Sequence, residues 1–219
     1  MRSLVALVVF SGFFGQGTDS IDFDKFGTGK MPPSWSVVTT HSGPAPLWEV
    51  IPEKSAPSRK NVFAQVSPVG RDAESRLAIY DKMLCREADL SVKFKIESGR
   101  QNKAAGIVWR YQDSGNYYLL QFSAEHRSIA LFHMENGQAR AIPVVAGKTQ
   151  MTTVPHDIRE DQWYVVKVNY RGSKVRVSFG NRLLFEAADN GLQRSGKTGL
   201  WTRAGTIALF DDFRLDKKS

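Results

Sequence analysis

The stretch "WYVVKVNYRGSKVRVSFGNRLLFE", residues 163–186, decides the fold. Tyr164, Val166, Val168 and Tyr170 stand opposite Lys167 and Asn169, and "KVRVSF" repeats the pattern with Val175, Val177 and Phe179. A side-chain period of two belongs to an extended strand with one face buried and the other in water. Gly180-Asn181 then separates "KVRVSF" from "RLLFE", as a tight turn between antiparallel strands would. Working outward, "DLSVKFKI" (89–96) sets Leu90, Val92, Phe94 and Ile96 against Ser91, Lys93 and Lys95. "DSGN" (113–116) divides "AAGIVWRYQ" from "NYYLLQFS" as a hairpin, and "ENGQ" (135–138) follows "SIALFHM". Helical periodicity is nearly absent. Roughly a dozen strands between residues 20 and 216 suit two packed sheets. The expected fold is all-β, a two-sheet antiparallel jelly-roll sandwich, with residues 19–219 as one domain.

Hydrophobic residues make up 42% of the 219 and charged residues 24%, which is globular composition and excludes a disordered chain. No apolar run reaches the roughly 18 residues that a membrane-spanning helix needs. Residues 1–18 carry one early cation, Arg2, then an apolar core from Leu4 to Phe14 and small polar residues. That is the grammar of a signal peptide, and it predicts a secreted or periplasmic protein. Cys85 is the single cysteine, which excludes an internal disulfide and a cysteine-rich zinc site. His41, His126, His133 and His156 are isolated, with no zinc-binding spacing. The net charge is +8, but the cations alternate along strands instead of forming a track, so no nucleic-acid partner is expected.

The segment "GIVWRYQDSGNYYLLQF" (106–122) gathers Trp109, Tyr111, Tyr117, Tyr118 and Phe122 around one turn. Neighbouring positions alternate faces, so this hairpin places rings on both sides of its sheet. Rings on the outer side would stack on the apolar faces of sugar rings, while nearby polar groups bond the hydroxyls. The candidate carbohydrate-binding set is Trp109, Arg110, Tyr111, Asn116, Tyr117 and Tyr118, with an oligo- or polysaccharide as partner.

Four segments in order, "DFDKFGTGKMPPSW", "AAGIVWRYQDSGNYY", "DQWYVVKVNYRGSKVRVSFGNRLLFE" and "GKTGLWTRAGTIALFDDFRL", resemble exported bacterial β-sandwich proteins of the concanavalin A-like lectin/glucanase superfamily. That group is similar in style to laminin-G-like and 3-keto-disaccharide hydrolase domains. The resemblance implies a jelly roll with a concave face suited to carbohydrate. A glycoside hydrolase and a laminin-G-like adhesion module are the alternatives it brings. The opening "IDFDKFGTGKMPPSW" departs from the usual start of the hydrolase domain.

No catalytic constellation is legible. Glu87 and Asp89 match half of a glucanase Glu-x-Asp-x-x-Glu strand, but Val92 fills the last position. Acids for a hydrolase would have to come from separate strands, among them Glu87, Glu125 and Asp212. "GTIALFDDFRL" (205–215) poses a different problem. Strict alternation puts Asp211 on one face with Ile207, Leu209, Phe213 and Leu215, where an unpaired charge is costly. Three remedies are open: a structural calcium shared by Asp211 and Asp22, backbone amides at a bulge, or a buried arginine.

Overall fold

The computed structural model describes residues 17–40, 45–70, 74–99 and 103–218. Among them there are eighteen strands and no helix. First come β1 (Thr18–Ile21), β2 (Trp35–Thr39), β3 (Trp48–Pro52), β4 (Asn61–Gln65), β5 (Ser75–Cys85) and β6 (Glu87–Gly99). A meander follows: β7 (Ala104–Asp113), β8 (Asn116–Ser123), β9 (Ser128–Glu135) and β10 (Gln138–Ala141). The short strands β11 (Val144–Ala146), β12 (Thr149–Met151) and β13 (Thr153–Pro155) lead to a second meander. It comprises β14 (Tyr164–Arg171), β15 (Lys174–Phe179) and β16 (Arg182–Ala188), and β17 (Gly196–Arg203) and β18 (Thr206–Lys218) end the chain.

The larger sheet has ten strands in the order β12-β11-β16-β15-β14-β6-β18-β4-β3, with β1 also on β18. The smaller has eight, β10-β9-β8-β7-β17-β5-β2, with β13 also on β9. The pairings are antiparallel throughout, and the chain passes repeatedly between the sheets, as at β5–β6, β6–β7 and β17–β18. This is the expected jelly-roll sandwich. The strands beyond the expected dozen include β10 to β13, whose three or four residues are too short for alternation to reveal. The turns at 113–116, 135–138 and 180–181 all join paired strands. At Asn136-Gly137 both φ angles are positive (51° and 79°), the type I′ geometry that matches strand twist.

Between the sheets lies one large core. Val92, Phe94 and Ile96 of β6 and Val166, Val168 and Tyr170 of β14 meet Ile107, Trp109, Tyr118, Leu120 and Phe122 from the smaller sheet. Phe94 and Phe122 stack across the gap at 4.3 Å. Each fully buried side chain of this kind contributes about 1.5–3 kcal/mol through apolar area removed from water. Cys85 is fully buried here, and burial pushes its thiol up to about 11, as suits a small core residue.

A bulge changes the reading of the last strand. Opposite β6, Asp211 faces Lys93 and Arg214 faces Ser91, so β18 carries an extra residue. Asp212 takes it up with a φ of 49°. Ala208 and Phe210 point into the core before the bulge, and Phe213 and Leu215 do so after it. Strict alternation had placed Phe213 and Leu215 with Asp211; the bulge reverses their direction. Asp211 instead shares the outer face with Leu209, yet it is fully buried.

What buries Asp211 is the β3–β4 connection, residues 53–60, which straps the outer face. Ala56 of the strap packs with Val62, Ala64 and Leu209. The backbone amides of Ser58 and Asp212 donate to the two Asp211 carboxylate oxygens, each at 2.8 Å. Burial nevertheless pushes this carboxyl up to about 6, against the pull of those donors. Asp22 is exposed and accepts the Asp24 amide at 3.2 Å. The acid that ties the strap is Asp24, in the turn after β1, whose Oδ1 accepts the Ser58 hydroxyl at 3.0 Å and the Asn61 amide at 2.8 Å. Both oxygens of Asp211 thus accept amide N–H groups, one from the strap and one from the bulge. Among the described residues no three His, Cys, Asp or Glu side chains gather as metal ligands.

The expected leader lies outside the described residues as far as 16. Thr18 already pairs in the sheet with Asp216, and the Lys217 amide donates to the Gly17 carbonyl at 2.9 Å.

Candidate functional site

The smaller sheet carries a second apolar cluster on its outer face. Leu77 and Ile79 alternate with core-facing Ala78 and Tyr80, Val108 with Ile107 and Trp109, Leu119 with Tyr118 and Leu120, and Trp201 with Leu200. Alternation therefore sets Leu77, Ile79, Val108, Tyr117, Leu119 and Trp201 together outside the sandwich. Gly106 makes this arrangement fit. A Cβ there would stand 2.6 Å from the Leu120 carbonyl oxygen, 2.9 Å from a Leu119 methyl and 3.2 Å from the Trp201 ring, so a larger residue would push β8 from β7 and crowd the ring.

Over this cluster opens a hollow of about 730 Å³. Its apolar part comes from Leu119, Phe132, Met134 and Trp201, and its polar rim from Thr40, Ser75, Asn116, Gln121, Asn136 and Arg203. The Arg203 guanidinium lies over the Trp201 ring at 5.2 Å. Phe132 and Met134 are half-buried and so present surface to the hollow. Two buried donors, Trp201 Nε1 and the Tyr117 hydroxyl, meet no acceptor among the described residues; Ser75 stands near the hydroxyl without hydrogen-bond geometry. Burial pushes the Tyr117 hydroxyl up to about 12.

A smaller hollow of about 410 Å³ adjoins the first and shares Asp113 and Asn116 with it. Gln112, Gln193 and Arg194 also line it. Asp113 is the single carboxylate among the described residues lining either hollow, and the turn itself occupies it. Its Oδ1 accepts the Gly115 amide and Asn116 Nδ2, both at 2.8 Å, and its Oδ2 accepts Asn116 Nδ2 at 3.0 Å.

The residues expected from the sequence divide between the two faces. Asn116 borders both hollows. Tyr117 and Tyr111 lie on the outer face, 6.0 Å apart, with Tyr117 fully buried beneath its neighbours. Trp109 and Tyr118 face the other way, stacked at 5.5 Å inside the core, and offer no surface to a ligand. Arg110 is also buried. It sits at the irregular end of β7 with a φ of 49°, and donates to the carbonyls of Arg86 (3.0 Å), Leu192 (2.6 Å) and Gly172 (2.7 Å). Burial lowers its pKa, although the arginine remains a cation.

Arg110 and Tyr118 act on the site from behind. The Tyr118 hydroxyl donates to Asp189 at 2.6 Å and accepts the Leu192 amide at 3.1 Å. Arg140 and the Gly191 amide also donate to Asp189, at 2.7 and 3.0 Å. Burial opposes ionisation of Asp189, but these donors hold its carboxyl below the usual range. The segment 189–194 is thereby fixed as a wall of the smaller hollow. The acids considered for hydrolysis lie apart: Glu87 accepts the Gly172 amide, Asp212 pairs with Lys93, and Glu125 is exposed in the β8–β9 turn.

Sequence reasoning missed Trp201, Arg203, Phe132 and Met134. The signal was parity. Both faces of β7 and β8 are apolar, so alternation divides them into two sets without saying which set faces out.

No family model and no curated protein matches the chain. Among solved structures, it is similar to the carbohydrate-binding module CBM66 from Bacillus subtilis, with 18% identity and a TM-score of 0.61 over 83% of this chain and 94% of that one. It is also similar to the GH43 protein BlXynB from Bacillus licheniformis, at 15% identity and a TM-score of 0.61. That match covers 91% of this chain but only 39% of the other. A third is the exoplasmic/lumenal domain of VIP36 in its Ca2+/Man3GlcNAc-bound form, at 10% identity and a TM-score of 0.51 over 85% and 84% of the two chains. Identities this low speak to architecture alone, and the architecture is a two-sheet antiparallel jelly roll.

Proposed function

We propose that this protein binds carbohydrate in the hollow on the outer face of its smaller sheet. The observation that carries the reading is the make-up of that hollow: an apolar patch of Phe132, Met134, Leu119 and Trp201 inside a rim of amide, hydroxyl and guanidinium groups. A sugar ring has the complementary construction, with apolar C–H faces and a periphery of hydroxyls. The volume, about 730 Å³, lies within the range of small-ligand sites. Two proteins of similar fold add support, one named a carbohydrate-binding module and one holding Man3GlcNAc. A hollow also favours this reading over an adhesion module, for which a flat charged sheet would be expected. The leader-like opening of the chain supports a location outside the cytoplasm, secreted or periplasmic. Hydrolysis has less support, because a glycosidase needs two carboxyl groups across its cleft and the hollows offer Asp113 alone among the described residues.

Calorimetric titration against a broad glycan panel tests the reading. A saccharide is expected to bind, and Phe132→Ala, which truncates a half-buried ring, should weaken it by about 1–3 kcal/mol. Absence of binding across the panel, or binding indifferent to Phe132→Ala and Gln121→Ala, refutes it.

A further inference from the structure

Resting on that reading, we infer that the ligand is an acidic saccharide chain, long enough to cross the 113–116 turn, whose carboxylate or sulfate group is held by Arg194. The two hollows share Asp113 and Asn116, so a ligand seated on the Phe132 patch can continue over the turn into the second space. The second space has no aromatic ring. Gln112, Asn116, Gln193 and Arg194 supply its side-chain polarity, which suits a charged substituent better than a stacked ring.

The charges point the same way. Each hollow has one cation, Arg203 in the larger and Arg194 in the smaller. The acid common to both, Asp113, has its oxygens occupied by the turn. Arg194 is exposed, and no partner meets its guanidinium among the described residues. The neighbouring amides are pinned with one end each turned to the backbone: Gln112 Nε2 donates to the carbonyls of Arg110 and Ser195, and Gln193 Nε2 donates to that of Asp189. The wall bearing Arg194 is itself fixed through Arg110 and Tyr118. A guanidinium on a fixed wall, paired to no carboxylate among the described residues, is a fork for carboxylate or sulfate oxygens. The net charge of +8 would draw a polyanion toward it.

Two matched pairs of probes test this: polygalacturonate against its methyl ester, and dextran sulfate against dextran. Within each pair the backbone is the same and only the charge differs. At least one acidic member is expected to bind about tenfold more tightly than its neutral partner, with the preference fading as salt rises. Arg194→Gln should lower that affinity about five- to tenfold, Arg194→Lys should restore part of it, and binding of the neutral member should not change. Preference for one pair alone assigns the anion as carboxylate or as sulfate. Neutral members binding as well as acidic ones, or acidic binding indifferent to Arg194→Gln, overturns the inference while leaving a carbohydrate site in place. If no acidic probe binds but the glycan panel yields a neutral ligand, the inference fails and the proposed function stands; if nothing binds anywhere, both fail.

Discussion

The two outer faces of the sandwich begin alike and end differently. Each carries an apolar cluster that the core between the sheets does not use. On the larger sheet it is Val62, Ala64 and Leu209; on the smaller it is Leu77, Ile79, Val108, Leu119 and Trp201. The chain covers the first itself, with residues 53–60 laid across it and latched by Ser58 on Asp211. Over the second lies a hollow with a polar rim, to which half-buried Phe132 and Met134 present surface while the cluster itself stays buried beneath. Both clusters are buried, but one is closed by a strap and the other lies under a hollow, and that difference separates a structural face from a binding face.

The largest effect that would break this contrast is at Trp201. Trp201→Ala removes a fully buried ring from the floor of the hollow and should cost about 3–5 kcal/mol in urea unfolding, together with saccharide binding. A loss of well under 1 kcal/mol would mean the outer cluster is not a packed unit.

Next in size is Ala56→Asp, which puts a charge where the strap meets Val62, Ala64 and Leu209. It should destabilise by about 2 kcal/mol and raise the fluorescence of a hydrophobic dye, as the strapped face comes to resemble the open one. Unchanged dye binding would show that the strap covers nothing of consequence.

The smallest effect is a slope. Asp211 is held near 6 in the fold against 3.8 in an unfolded chain, so the folded state binds the proton more readily. Its contribution is present below about pH 4 and is lost as pH rises through about 6. Asp211→Asn removes that term. The stability of the variant relative to the parent should therefore rise with pH between about 4 and 6 and then level off. A constant difference across that window would mean that the two amide donors outweigh burial.

Much of the architecture was legible because half-buried antiparallel strands write their burial directly into residue order. β6, β14 and β15 needed little more than Leu90 to Ile96, Tyr164 to Tyr170 and Val175 to Phe179. The site was harder for two physical reasons. Trp109 and Tyr118 are no more apolar than Trp201 and Tyr117, so which ring faces the core depends on the opposing sheet, which sequence does not display. Arg110 looked like a ligand-binding cation, but it sits at an irregular strand end that turns it inward onto three carbonyls. Asn116 was recoverable because a turn residue sits at the rim whichever face is concave.

The extra residue at Asp212 has a consequence for how the chain tolerates change. Upstream and downstream of it, β18 obeys opposite parities, so the strand behaves as two short segments spliced out of phase. Losing Asp212 alone would swing Phe213 and Leu215 toward solvent and Arg214 toward the oil, a fault no single side-chain replacement there could match. Length at that point is therefore under tighter constraint than chemistry, and variants that shift the frame by one should be far rarer than variants that exchange one carboxylate for another.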